Sequence, residues 1–340
     1  MAEKHPDAAL NGRWQNMRIW YILLLSLLLP VTIVGIQPEF VAASPAGIAG
    51  VKLWPAKAPG SEQVRLKEQV IERSKQSGIY DRAVTGITEP EIIPVLADPA
   101  RANGTAVLIC PGGAYARVTI DKEGYDIAEW LNKEGISAFI LKYRLPGEGH
   151  AQQYAVPLQD AQRAMRLIRA RAAEWKVDPK RIGVMGFSAG GHLASTLGTR
   201  YQDRVYSPVD AADQQSAKPA FMVLLYPVIS MEDSVAHAAS KQNLLGDNPD
   251  TGLIHDFSSD EQVRADTPPT FIVQAHNDGV STENSIRFYS ALKQAEVPAE
   301  LHIFTKGGHG FGIRGAKGPI AIWPHLCKAW MQEMQFIPAE

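Results

Sequence analysis

Cysteine is nearly missing: the 340-residue chain has two, Cys110 and Cys327. They allow at most one bridge, so no disulfide framework holds the fold, and neither sits in a C-x-x-C pair suited to zinc or dithiol redox chemistry. Charge of one sign is lacking as well. The 34 basic side chains face 36 acidic ones for a net −2, and no basic run is present, which argues against a nucleic-acid partner. There is no H-E-x-x-H, no G-x-x-x-x-G-K phosphate loop, and no metal-ligand spacing among His150, His237, His255, His302 and His325. The expected chemistry therefore needs no metal and no cofactor. Internal repeats and low-complexity tracts are also absent, which excludes solenoids and disorder. What is present is a hydrophobic share of 45%, enough for a large core.

The first 43 residues differ from the rest. Lys4, Arg13 and Arg18 precede an apolar run from Ile19 to Ile36, interrupted by Pro30 and followed by Val41, Ala42 and Ala43. This pattern reads as an export signal cleaved after Ala43, giving a periplasmic or secreted protein. The alternative is an uncleaved membrane anchor over residues 19–36, although Pro30 would disturb a spanning helix. Residues 44–85 are rich in Pro, Gly and charge, and are expected to form a peripheral arm with a polar surface helix from Glu62 to Gln76.

From residue 86 to 340 short apolar runs alternate with longer amphipathic stretches, the signature of βα units on a mostly parallel sheet with helices on both faces. The strand candidates are Ile92–Leu96, Thr105–Cys110, Ser137–Tyr143, Arg181–Phe187, Phe221–Pro227, Thr270–Ala275 and Glu300–Phe304. The helix candidates are Tyr125–Lys133, Tyr154–Trp175, Gly191–Gly198, Thr282–Ala295 and Ile320–Met334, each with apolar spacing near 3 to 4. One interval, 230–266, is far longer than a connecting loop requires and shows no clear helical pattern, so it reads as a lid-like insertion.

Gly186-Phe187-Ser188-Ala189-Gly190 matches G-x-S-x-G at the end of an apolar run. A strand that turns sharply into a helix needs tiny flanking residues and pushes the serine oxygen out above the sheet. A hydroxyl is a weak nucleophile, so it requires an imidazole base, which in turn requires an acid to fix its tautomer. Asp278 lies just past the Thr270–Ala275 strand, and His309 lies in a glycine-rich loop past Glu300–Phe304. The order Ser188, Asp278, His309 is that of α/β-hydrolases. An oxyanion would be met by the amide of Ala189 and by Gly113 and Ala114, in the loop Pro111-Gly112-Gly113-Ala114-Tyr115 after Thr105–Cys110. His192 and His276 are expected to be structural. The Arg163, Arg166, Arg169 and Arg171 stripe is expected to be a solvated or ion-paired helix face.

With these residues in place, the chain resembles the α/β-hydrolase carbohydrate esterases grouped with acetylxylan esterases, and is distantly similar to the hormone-sensitive-lipase group. The resemblance runs from about Ile87 to the C-terminus. It rests on the segments Cys110–Tyr115, Leu141–Leu145, Asp160–Ala164, Asp178–Gly183, Gly186–Leu193, Asn243–Gly246, Asp278–Ser285 and Lys306–Gly312. It implies Ser188 as nucleophile, Asp278 as acid and His309 as base. Two departures stand out: Ala114 where the oxyanion loop commonly has glycine, and Asn277 where many relatives have a second aspartate. The implied function is a serine ester hydrolase deacetylating xylan or related oligosaccharides. The rival readings are a short-chain carboxylesterase or feruloyl esterase, a peptidase, and a non-catalytic binding module on the same scaffold.

Overall fold

A strand covered on both faces must be apolar throughout, and the continuous runs of this chain become such strands. The computed structural model describes residues 49–339; the export signal or anchor expected in residues 1–43 lies outside them. In chain order the elements are β1 (Val51–Lys52), β2 (Gln69–Glu72), β3 (Arg82–Thr85), β4 (Glu91–Val95), β5 (Ala106–Cys110), β6 (Val118–Thr119), α1 (Asp126–Lys133) and β7 (Ser137–Lys142). There follow α2 (Val156–Ala170), β8 (Ile182–Phe187), α3 (Ala189–Thr199), β9 (Met222–Leu225), α4 (Ala238–Leu245), α5 (Thr251–Asp256), β10 (Thr270–Ala275), α6 (Glu283–Gln294), β11 (Ala299–Phe304) and α7 (Trp323–Glu333).

The main sheet has the order β1-β4-β7-β5-β8-β9-β10-β11. From β7 to β11 every pairing is parallel, while β4 and β1 add antiparallel strands at one edge. Every residue of β5, β7, β8, β9 and β10 is buried. Parallel strands present all their carboxyl ends on one edge, and an open α/β sheet binds its ligand in the crevice there. The loops after β5, β8, β10 and β11 therefore converge on that side.

The segment ahead of residue 86 is tied into the catalytic domain. Strand β1 pairs with β4, and the Trp54 indole N–H donates to Asp160 Oδ1 of α2 at 2.8 Å. The same carboxylate forms a fully buried ion pair with Arg144 at 2.8 Å. Losing one partner of such a pair typically costs about 3–5 kcal/mol, because the other charge is stranded. The polar helix expected over Glu62–Gln76 does not form. Its second half contains β2, which pairs antiparallel with β3, and the adjacent β-branched Val70 and Ile71 favour that extended state.

One further expectation changes. The insertion 230–266 contains α4, which carries no apolar stripe, and α5, too short to show one; each is capped, by the His237 ring and by the Asp250 carboxylate. The arginine stripe is ion-paired, one of the two states expected of it: Arg163 is buried and paired with Asp213 at 3.0 Å and with Asp210. Arg166 donates to the Tyr206 hydroxyl, Arg169 to backbone carbonyls including that of Pro179, and Arg171 pairs with Glu174.

Candidate active site

Strand β8 ends at Phe187 and α3 begins at Ala189, so the whole reversal falls on Ser188. Its backbone sits at φ 53° and ψ −121°, a sparsely populated conformation for a residue with a Cβ. Small neighbours allow it. A Cβ on Gly186 would collide with the carbonyl oxygen of Gly190, and a Cβ on Gly190 would collide with that of Cys110. Strain of about 1–3 kcal/mol at such a turn persists only when the surroundings fix it. Here the Ser188 N–H donates to the Leu225 carbonyl, and the Ser188 carbonyl accepts from the amides of His192 and Val228, all at 3.1 Å.

The other two candidates follow β10 and β11, beyond β9 in the sheet. His309 Nε2 lies 2.9 Å from Ser188 Oγ, and His309 Nδ1 lies 2.8 Å from Asp278 Oδ1. The carboxylate can only accept, which places the ring proton on Nδ1 and leaves Nε2 free to accept from the serine hydroxyl. The Asp278 side chain is fully buried, and its Oδ1 also accepts the Val280 amide at 2.7 Å. The His309 side chain is 35% exposed, open to the crevice. Three residues separated by 90 and 31 positions in sequence thus form one hydrogen-bonded chain.

The donor loop after β5 packs against this turn. A Cβ built on Gly112 would fall 2.9 Å from the Ser188 Cβ. The Gly112 amide is already bonded to Glu123 Oε2 at 2.8 Å. The amides of Gly113, Ala114 and Ala189 donate to no acceptor among the described residues. Ala114 adopts φ 56°, the left-handed conformation that explains why glycine is common there, and its carbonyl is held by the Asn243 amide of α4 at 2.7 Å. The insertion therefore reaches the loop after β5 directly.

His192 is buried: its Nδ1 bonds the Tyr115 hydroxyl at 2.8 Å and its Nε2 the Phe257 carbonyl at 2.7 Å. Burial pushes its pKa down to about 4, so the ring is neutral and structural near neutral pH. The His276 side chain is exposed rather than built into the fold. Cys110 and Cys327 are both buried free thiols, so the one bridge the sequence allowed is not formed.

Four residues near the site carried no sequence signal of their role. Asn277 Oδ1 accepts the amides of Gly307 and Gly308, at 3.0 and 2.9 Å, and so holds the loop that carries His309. The Tyr226 ring stands edge-on to the His309 ring at 5.0 Å. Glu123 bonds the donor loop. Asn243 was legible only as part of a family segment. Polar partners of this kind are set by tertiary contacts, which leave no local pattern.

Comparison with known proteins agrees with this geometry. The BD-FAE family model matches residues 96–292, more than half of the chain. An acetyl ester-xyloside bifunctional hydrolase from Caldicellulosiruptor lactoaceticus has a crystal structure with a TM-score of 0.70 at 36% identity, covering 85% of this chain and 97% of that one. The acetylxylan esterase of Xylanibacter ruminicola is 38% identical over 220 residues, which are 63% of this chain and 42% of the relative. The chain thus spans less than half the length of that relative. MGS-M1, an α/β-hydrolase enzyme from a Medee basin deep-sea metagenome library, shares the fold with a TM-score of 0.54 at 23% identity, over 79% of this chain and 97% of that one. The fold is the α/β-hydrolase fold expected from the sequence.

Proposed function

The chain belongs to the BD-FAE family, and from that premise we propose that it is a serine ester hydrolase that removes acetyl groups from xylan or its oligosaccharides. The observation that carries this reading is the hydrogen-bonded chain Asp278–His309–Ser188 at the carboxyl edge of the sheet. Ser188 Oγ attacks the ester carbonyl while His309 Nε2 takes the hydroxyl proton, and the buried Asp278 carboxylate holds the resulting imidazolium. The tetrahedral oxyanion is stabilised by the amide of Ala189 with that of Gly113 or Ala114, the donors the fold leaves uncommitted. His309 then gives the proton to the departing sugar oxygen, which leaves as a hydroxyl, and the acetyl group stays on Ser188 as an ester. Water, deprotonated by the same ring, releases acetate and restores Ser188.

Two relatives above 30% identity, by name an acetylxylan esterase and an acetyl ester-xyloside bifunctional hydrolase, support the acetylated xylan substrate. The test is acetate released from acetylated xylan, set beside turnover of p-nitrophenyl esters of increasing acyl length, a methyl ferulate and a peptide. Release from xylan, with acetate preferred among the simple esters, is the expected result. Preference for ferulate or for long acyl chains, with no acetate freed from xylan, contradicts the substrate class.

The bonding of Asn277 gives a second expectation. A carboxylate oxygen can accept the same two amides, so Asn277→Asp is expected to retain kcat/KM for an acetate ester within a few-fold of wild type. Asn277→Ala releases the Gly307 and Gly308 amides and is expected to lower kcat/KM by about 10- to 10²-fold, because His309 loses its fixed approach to Ser188. Equal activity of the two variants in steady-state assays contradicts the anchoring role.

A further inference from the structure

We propose that Glu123 is a positioning residue that aligns the oxyanion loop and the His309 loop from one buried carboxyl group. This rests on the hydrolase reading given above. Glu123 sits in a single π-helical turn, Asp121–Tyr125, and is 5% exposed. Such turns are rare and occur frequently at functional sites. No cation pairs with this carboxyl group among the described residues, so hydrogen bonds alone must offset its burial.

Those bonds divide between the two halves of the site. Glu123 Oε2 accepts the Gly112 amide at 2.8 Å and the Thr119 hydroxyl at 2.6 Å. The Thr119 amide in turn donates to the Gly112 carbonyl at 3.0 Å. In a trans peptide the N–H points opposite to the C=O, so fixing the Gly112 carbonyl on Thr119 aims the Gly113 amide the other way. That amide is one of the uncommitted oxyanion donors. Gly112 itself is wedged between carboxyl group and nucleophile: a Cβ there would lie 2.9 Å from both Glu123 Oε2 and the Ser188 Cβ.

The second oxygen serves the base. Glu123 Oε1 accepts the Tyr226 hydroxyl at 3.0 Å, and the Tyr226 oxygen accepts the Gly312 amide at 3.2 Å. The Tyr226 ring backs His309 at 5.0 Å and Phe311 at 4.5 Å. One side chain therefore reaches, through a single intermediary each way, the amide that meets the oxyanion and the ring that moves the proton.

Misaligning groups that act mainly in the transition state lowers kcat more than it raises KM. The test measures kcat per active site in the full chain, with sites counted by complete fluorophosphonate labelling and intact mass. This separates positioning from loss of folded protein. Glu123→Gln, which replaces one acceptor oxygen by an amide nitrogen, is expected to lower kcat per site by about 10- to 10²-fold with KM within about three-fold. Tyr226→Phe keeps the ring and deletes only the hydroxyl, and is expected to lower kcat per site by about 10-fold, which keeps the proposal testable should the Glu123 variant fold poorly. Unchanged kcat per labelled site in either variant overturns the proposal, as does a rise in KM that accounts for the whole loss. Failure of the underlying reading looks different: the wild-type chain itself would neither label nor turn over an ester.

Discussion

Ser188→Ala is expected to lower kcat for an acetate ester by about 10⁶-fold, the scale seen when a serine-hydrolase nucleophile is deleted. At about 1.4 kcal/mol per decade this is roughly 8 kcal/mol of barrier. The reason is geometric. Ser188 Oγ is the atom His309 Nε2 reaches, at 2.9 Å, and no other hydroxyl bonds that ring among the described residues. With the hydroxyl gone, His309 can act only through water, and what survives is the contribution of the oxyanion amides and substrate binding, about 10³–10⁴ over the uncatalysed rate. The strained turn stays intact, because alanine fits where serine stood and the backbone bonds of residue 188 do not use the side chain. Steady-state turnover with a circular-dichroism check of folding measures this. A loss much smaller than about 10³-fold in a folded variant contradicts the nucleophile assignment.

Asp278→Asn is expected to cost about 10⁴-fold in kcat at nearly constant volume. Asp278 Oδ1 receives two donors, the His309 Nδ1–H and the Val280 amide. An asparagine that satisfies the Val280 amide through its oxygen can turn its N–H₂ toward His309. The ring then carries its proton on Nε2, points it at Ser188 Oγ and can no longer accept from that hydroxyl. Binding of substrate does not use this carboxylate, so KM is expected to move far less than kcat. A variant that keeps more than about one-tenth of wild-type kcat shows that the tautomer is fixed by something other than Asp278.

The sheet was legible because its middle strands are buried on both faces. Thr270–Ala275 was read to the residue, and Arg181–Phe187 and Ser137–Tyr143 to within one residue at one end. Ser188 and Asp278 were legible because each stands just past such a run, and His309 because it lies in a glycine-rich loop past the half-buried edge strand β11. Segments whose burial follows no period were not. All four residues of β2 are exposed, so Gln69–Glu72 shows no alternating burial pattern, and only the β-branched pair Val70 and Ile71 favours a strand over the helix expected there. Helix α4 buries only Ser240, Leu244 and Leu245, which mark no apolar stripe, and α5 has six residues, too few to show a face. Arg163 reads as a surface residue until Asp210 and Asp213, from a distant loop, are seen to cover it. Glu123 is the same case at the site, since its partners Gly112, Thr119 and Tyr226 come from three separate segments.

Ser188 is expected to become covalently bonded during turnover. Intact mass and peptide mapping after reaction with a fluorophosphonate measure this. One adduct per chain is expected, located on Ser188, appearing together with loss of esterase activity and absent from the Ser188→Ala variant. A chain that hydrolyses the ester yet takes no adduct, or takes it at another residue with activity lost in step, would contradict it.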